Sequence, residues 1–380
     1  MFDIKKYRDE FHYLKSGKIY LNHAAISPLP KCVKDRIDNY LNIRYQTEIE
    51  PYYETLAESA GAKEKIALIL GVNETQVSWA PNVSSAMNIL TNGISLEYGD
   101  EIILNDIEFP SNVYPFLNLS KQGVSVKFAE NRNGIVDVEE IEKLITQRTK
   151  IVSISMVQFL SGYRADLKSI GEICKAKNII FCVDGIQGIG TVQIDVDECG
   201  IDFFAGGSHK WLMGLQGLGY FYISKKLMDI LEHKNVGWTS VKNPWKLLSY
   251  DLVLSEGAKR FENGTLPRIA IIALNASLSF LEEIGMDQIE KLINKNTLFL
   301  REKLGSLGFD KILGTSEQGK NAGIVSFAHK NSDLIFKELE RKNIICSLRE
   351  GIIRLSPHFY NTEEELSSVV AEIDSIVKDK

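Results

Sequence analysis

Lys210 lies in the hexapeptide GGSHKW at 206 to 211, behind two glycines, Ser208 and His209 and directly ahead of Trp211. An ammonium group is ordinarily left in water, so a lysine in cramped and partly apolar company needs a reason. Upstream, the apolar run NIIFCVDGIQ at 178 to 187 contains Asp184, with Gln187 close behind it. A lysine kept from solvent is a nucleophile that forms an imine with an aldehyde. A nearby carboxylate can hold a ring nitrogen protonated, so that the ring accepts electrons.

Pyridoxal 5'-phosphate (PLP) is the cofactor whose chemistry needs both groups. Its phosphate also needs hydroxyls and free N–H groups at a helix start, and Asn82-Val83-Ser84-Ser85 offers them. Each piece has a plainer reading by itself. A strand ending in Asp-Gly is commonly a turn, Ser-Ser before a helix is an ordinary cap, and a lysine is usually a solvated charge. Their order along one chain is what points to a site.

The elements that must position these residues alternate between strand and helix. KEKIALILG reads as a helix end stopped by Gly71, QVSWA as a short strand, and PNVSSAMNIL as a capped helix. DEIILND (100 to 106), VSVKFAE (124 to 130), KIVSISMVQ (150 to 158) and NIIFCVDGIQ read as strands, with VDVEEIEKLIT and LKSIGEICKAKN as helices. Such alternation predicts an α/β fold, a mainly parallel sheet covered by helices, with ligands at the carboxyl ends of the strands. After GTLPRIA (264 to 270) the character changes. A long helix leads to a strand at 321 to 329, a helix over DLIFKELERKN, two strands around Glu350-Gly351 and a closing helix capped by Thr362. We therefore expect an N-terminal segment (1–20) packing with the small domain, a large cofactor domain (21–265) and a smaller C-terminal α+β domain (266–380).

Composition narrows the function classes. The chain has 380 residues, 44% of them hydrophobic, and a net charge of −6 without a block of like charge, which points away from nucleic acid and anionic membranes. The N-terminus lacks an apolar h-region or a span, so a cytoplasmic location is expected. Cys32, Cys174, Cys182, Cys199 and Cys346 form no CxxC pair, so neither disulfides nor a metal site is expected.

The segments VDGIQG and DFFAGGSHKWLMGLQGLG, with IYLNHAA (19 to 25), APNVSSAMN (80 to 88), RFENGT (260 to 265) and IRLSPHFYNT (353 to 362), resemble the class V aminotransferase family of fold type I PLP enzymes. That family includes cysteine desulfurases, isopenicillin N epimerase-like proteins and kynureninases. The resemblance implies a large domain with a mainly parallel seven-stranded sheet, PLP as cofactor, an amino acid as substrate and a homodimer with shared active sites. It makes Lys210 the imine lysine, Asp184 the partner of the pyridinium nitrogen and Gln187 a contact of the phenolic oxygen. Val83, Ser84, Ser85 and Gln158 fall among cofactor contacts, Ser208 replaces a family phosphate contact, and Thr265 reaches the phosphate from the other subunit. His209 lies against the cofactor, with a catalytic role or a buried structural one. Arg354 is implied to clamp the substrate's α-carboxylate, while Asn22 and His23 fold over the substrate.

Two departures bear on the reaction. Desulfurases stack a histidine on the ring, whereas IEFPSN (107 to 112) places Phe109 there, as in kynureninases. They also carry a nucleophilic cysteine on a loop before the carboxylate-binding arginine. Here CSLREG joins two strands through a tight turn, and Cys346 takes an apolar strand position. Transamination is the first expectation. A carbon–sulfur lyase of desulfurase-like, β-eliminating type or an epimerase is the alternative. Kynurenine-type cleavage ranks lower, and a non-catalytic PLP-binding module last.

Overall fold

The computed structural model describes residues 3–309 and 311–378. Thirteen strands run through them: β1 (Ile19–Tyr20), β2 (Val77–Ala80), β3 (Glu101–Asn105), β4 (Ser125–Ala129), β5 (Thr149–Ser155), β6 (Ile180–Asp184), β7 (Phe203–Gly207), β8 (Gly219–Ile223), β9 (Lys311–Ile312), β10 (Val325–Ala328), β11 (Ile344–Ile345), β12 (Ser347–Arg349) and β13 (Ile352–Leu355). Seven of them form the central sheet in the order β2-β8-β7-β6-β5-β3-β4, with β8 antiparallel to both neighbours and the remaining pairs parallel.

Side chains on these strands alternate between two cores, as the period of a strand requires. Phe181, Val183, Phe204, Tyr220 and Tyr222 pack on one face, and Cys182, Phe203, Ala205, Phe221 and Ile223 on the other. Two covered faces explain why the sequence of these strands is a near-continuous apolar run. The helix Val83–Gly93 adds Val83, Ala86, Met87 and Leu90 to the second face. Asp184 pairs in register with Ala205 on that same side, so the helix start and the carboxylate share one face. Because β2, β3, β5, β6 and β7 all point the same way, the residues that follow them meet at one edge.

The C-terminal unit has its own sheet, β12-β13-β10-β9, antiparallel throughout. Its core contains Leu300, Val325, Phe327, Ile353, Leu355 and Leu366. The N-terminal segment packs here: β1 pairs with β11, Phe11 stacks near Tyr360, and Arg8 pairs with Glu365.

The structure departs from the sequence reading in three places. The strands β7 and β8 were not anticipated, because DFFAGG and GYFYI are flanked by glycine-rich turns that mask their apolar period. The strand expected to run to Gln158 ends at Ser155, and the helix expected over VDVEEIEKLIT spans only Val138–Glu142. The helix Arg268–Ile284, which opens the expected small domain, has Ile271, Leu274 and Leu278 in the same core cluster as Phe181 and Val183. Among the described residues, no single helix is long and apolar enough to cross a membrane.

Gly185 follows Asp184 closely under the sheet, and a Cβ there would lie 1.8 Å from Cζ of Phe204. Gly185→Ala is expected to cost about 1–3 kcal/mol of stability through overpacking, read as a lowered denaturation midpoint.

Candidate active site

A cavity of about 640 Å³ opens at the carboxyl edge of the large sheet, within the range of small-molecule sites. Ser84, Phe109, Gln187, His209, Lys210 and Arg354 all line it. The main chain at Lys210 is fixed from several sides. Ser27 donates its hydroxyl to the carbonyl of Lys210 (2.5 Å) and its N–H to that of His209 (3.0 Å), while Met213 N–H also reaches the Lys210 carbonyl. Trp211 is fully buried, and its indole N–H donates to Oε1 of Gln187 at 2.8 Å. The amide nitrogen of Gln187 donates to the Ala24 carbonyl at 2.9 Å, which leaves its second hydrogen for the cavity.

Asp184 is buried at the end of β6, where Oδ1 accepts the N–H of Ile186 at 3.0 Å. Burial raises its pKa. The Ile186 hydrogen bond and the Lys210 charge oppose that rise, and the negative charge of Glu108 adds to it. Burial lowers the pKa of Lys210, Asp184 pulls it back up, and Arg354 and Arg349 push it further down. The two groups thus shift toward each other, which makes a free amine accessible near neutrality. The ammonium nitrogen sits 5.6 Å from the centre of the Phe109 ring, which in turn meets Phe159 edge to face.

His209 also faces the cavity, and its Nδ1 is buried without a partner among the described residues. Burial, aided by the Lys210 charge, holds its pKa down to about 4, so the ring is neutral at physiological pH. Arg354 is buried on β13. Its Nε donates to the Ser347 hydroxyl and its Nη1 to the Phe159 carbonyl, and among the described residues no carboxylate pairs with it. Burial and the neighbouring Arg349 hold its pKa down to about 10. A desolvated guanidinium with donors to spare is an anion receptor.

The remaining expected residues are not all brought to this cavity. Val83 and Ser84 line it, with Ser84 donating to the Ser111 hydroxyl at 2.8 Å, but Ser85 and Thr265 line a neighbouring cavity. The N–H of Ser85 is capped by Asn82 at 2.8 Å, while those of Val83 and Ser84 precede the helix's own carbonyl ladder. The Ser208 hydroxyl lies against the carbonyls of Leu215 and Leu218, so Gly207 rather than Ser208 forms the wall. Gln158 is fully buried beneath the site, donating to Glu108. His23 does not reach the cavity. Its Nδ1 meets the Ser356 carbonyl and its Nε2 the Tyr360 hydroxyl, and burial lowers its pKa to about 3. Asn22 bridges Ser356 along the backbone, and Ala24 and Ala25 line the cavity in its place.

Two residues of the cavity wall were not singled out from sequence. Glu108 is a buried carboxylate that accepts from Asn105, Asn112, Gln158 and both the N–H and the hydroxyl of Ser155. The spacing of Asn105, Glu108 and Asn112 hints at it, but the burial is tertiary. Arg349 stands at the cavity mouth, and only the strand register shows that it faces the same way as Arg354.

These groups fit PLP. A desolvated lysine, a buried acid beyond it, a free helix start and an unpartnered Gln187 N–H match its aldehyde, ring nitrogen, phosphate and phenolic oxygen. The fold and site therefore define a PLP-dependent enzyme.

Comparison with known proteins agrees. Residues 19–369 match the family described as aminotransferase class-V. An uncharacterized aminotransferase, YcbU, of Bacillus subtilis is 27% identical, with 97% of each chain covered. A probable cysteine desulfurase of Borreliella burgdorferi is 32% identical over 95% of this chain and 92% of its own. The apo structure of a cysteine desulfurase from Thermococcus onnurineus superposes with a TM-score of 0.91 at 25% identity, covering 100% of this chain and 99% of the other. The chain belongs to the class V aminotransferase family and is a PLP-dependent transferase or lyase.

Replacing Asp184 by Asn removes the charge that holds the proton on Lys210. The pH midpoint for capture of PLP by the apo-protein is expected to move down, while turnover falls roughly 100-fold or more. A midpoint that moves up would contradict the pairing.

Proposed function

We propose that the protein is an aminotransferase that exchanges the amino group of an amino acid, working as a homodimer. The observation that carries this reading is the content of the cavity wall. Lys210 stands beside Phe109 and opposite Arg354, and among the described residues no cysteine lines the cavity. Cys346 is buried in the small-domain core, where desolvation pushes its thiol up to about 12, so it is not available as a thiolate acceptor for sulfur. The two-residue turn at Glu350-Gly351 leaves no loop that could carry a nucleophile into the site.

PLP, when bound, supplies an electron sink for the electrons released at Cα. Arg354 binds the α-carboxylate, orienting the substrate so that its Cα–H bond faces Lys210. Lys210, with its pKa lowered by burial, takes the Cα proton and returns it to another atom. Asp184 would keep the ring nitrogen of the bound cofactor protonated, and the neutral His209 closes the wall without adding charge. Phe109 lines the site beside Lys210, and an aromatic ring there does not carry protons.

The dimer is supported by Thr265, exposed beside a cavity that shares Pro81 and Gly217 with the active site. It is further supported by exposed Trp245, Leu248, Tyr250 and Leu252 on one segment, an apolar surface of the kind a partner covers.

The test is spectroscopic and chemical. Purified protein loaded with PLP is expected to be yellow, and Lys210→Ala to lose that absorption and roughly 10²–10⁴-fold of its activity. A single amino acid should bleach the band and release an equivalent of 2-oxo acid, and a second 2-oxo acid should restore it. Sulfide and pyruvate from cysteine without an acceptor would instead make it a lyase. No spectral response to any amino acid would sink the aminotransferase reading.

A further inference from the structure

The hairpin β12–β13 turns through Glu350 and Gly351, both in the left-handed region with φ of 49° and 73°. Two consecutive left-handed residues make the tight turn that matches strand twist, and Asn-Gly is its preferred sequence. Glutamate in the first position is strained by its Cβ, so the turn is held by what its strands must present. In the register Ser347 opposes Arg354 and Arg349 opposes Ile352. Directly opposed residues share a face, as do residues two apart, so Arg349 and Arg354 stand diagonally on one face of the hairpin. Such diagonal neighbours are about 7–8 Å apart at the backbone, within reach of one small ligand for side chains as long as arginine.

Both arginines line the active-site cavity, and among the described residues neither is in an ion pair. The cavity's acids do not neutralise them. Glu108 is enclosed by its own donors, and Asp184 is buried behind the wall and does not line the cavity. Glu350 is at the mouth but makes no ion pair with Arg349. One α-carboxylate satisfies Arg354 and leaves a second guanidinium facing the same space.

We infer that Arg349 is a second anion-binding residue and that the substrate is an amino acid with an acidic side chain. This inference rests on the proposed amino acid chemistry for its substrate but not for its anion site. Arg354 takes the α-carboxylate from the buried position, and Arg349 takes the side-chain carboxylate or sulfinate from the mouth. Specificity then comes from the spacing of two guanidinium groups across one hairpin. The neutral amide of the same shape loses a charge-assisted contact and is discriminated against.

Calorimetric titration of the PLP-loaded protein with glutarate and with butyrate separates the anion site from turnover. Glutarate is expected to bind at least about tenfold more tightly, Arg349→Gln to remove that difference and Arg349→Lys to restore part of it, since lysine keeps the charge without the fork. Arg349 is exposed, so these variants should fold. Equal affinity for the two acids in the wild type, or a preference that survives in Arg349→Gln, overturns the assignment. In turnover, aspartate or glutamate should exceed its own amide at least tenfold in kcat/KM, and parity between acid and amide overturns the substrate class. A glutarate preference in a protein that turns over no amino acid sustains the anion site and refutes the proposed reaction.

Discussion

The electrostatic attraction between Asp184, buried at the end of β6, and Lys210, half-buried just beyond β7, sets the conditions for the rest of the site. Either charge alone would be costly to bury, and each tempers the other's shift. The pair can exist only if both strands hold their register. Asp184 opposes Ala205, and the glycines that follow let neighbouring rings come close: a Cβ on Gly206 would lie 2.5 Å from Tyr220. Ser27, Trp211 and Gln187 then fix the lysine's main chain from the far side. The neighbours that looked crowded in GGSHKW are the means by which a lysine is desolvated and aimed.

The second constraint is an excess of positive groups that meet no carboxylate among the described residues. The helix start at Val83, the guanidinium of Arg354 and that of Arg349 all face the cavity, and the acids around them are engaged elsewhere. A site built in this way is completed by anions that the protein does not supply. The proposed phosphate, α-carboxylate and second acidic group would fall at three positions on three separate elements. A ligand there would do work that ion pairs do in an ordinary core, and the pKa of Arg354 is lowered because its guanidinium is buried beside Arg349.

Much of this was legible in the chain because the signals are local. The apolar run before Asp184, the cap at Asn82 and the capping of the last helix by Thr362 need only neighbouring residues, and the structure contains each. The phenylalanine beside Lys210 was legible through resemblance. What was not legible depends on packing at a distance. Ser208 has the right type for a phosphate contact, but the turn behind it brings the Leu215 and Leu218 carbonyls to its hydroxyl. His23 lies in a telling motif, yet Tyr360 and Ser356, more than three hundred residues away, claim its ring. Glu108 is an unremarkable acid until β5 closes over it with Ser155.

The hairpin near the C-terminus shows how a short segment can separate chemistries on one fold. A longer connection there could carry a nucleophile over the lysine, whereas a two-residue turn cannot. The same shortening fixes Arg349 in the register that faces Arg354, because in a tight hairpin the turn length sets which side chains share a face. A loop of a different length would send that arginine elsewhere, so the lack of room for a mobile nucleophile and the placing of Arg349 beside Arg354 both follow from one turn. The strained Glu350 follows from the same geometry: the chain keeps the turn tight despite a residue that resists it, since the strands on either side have to meet the cavity together.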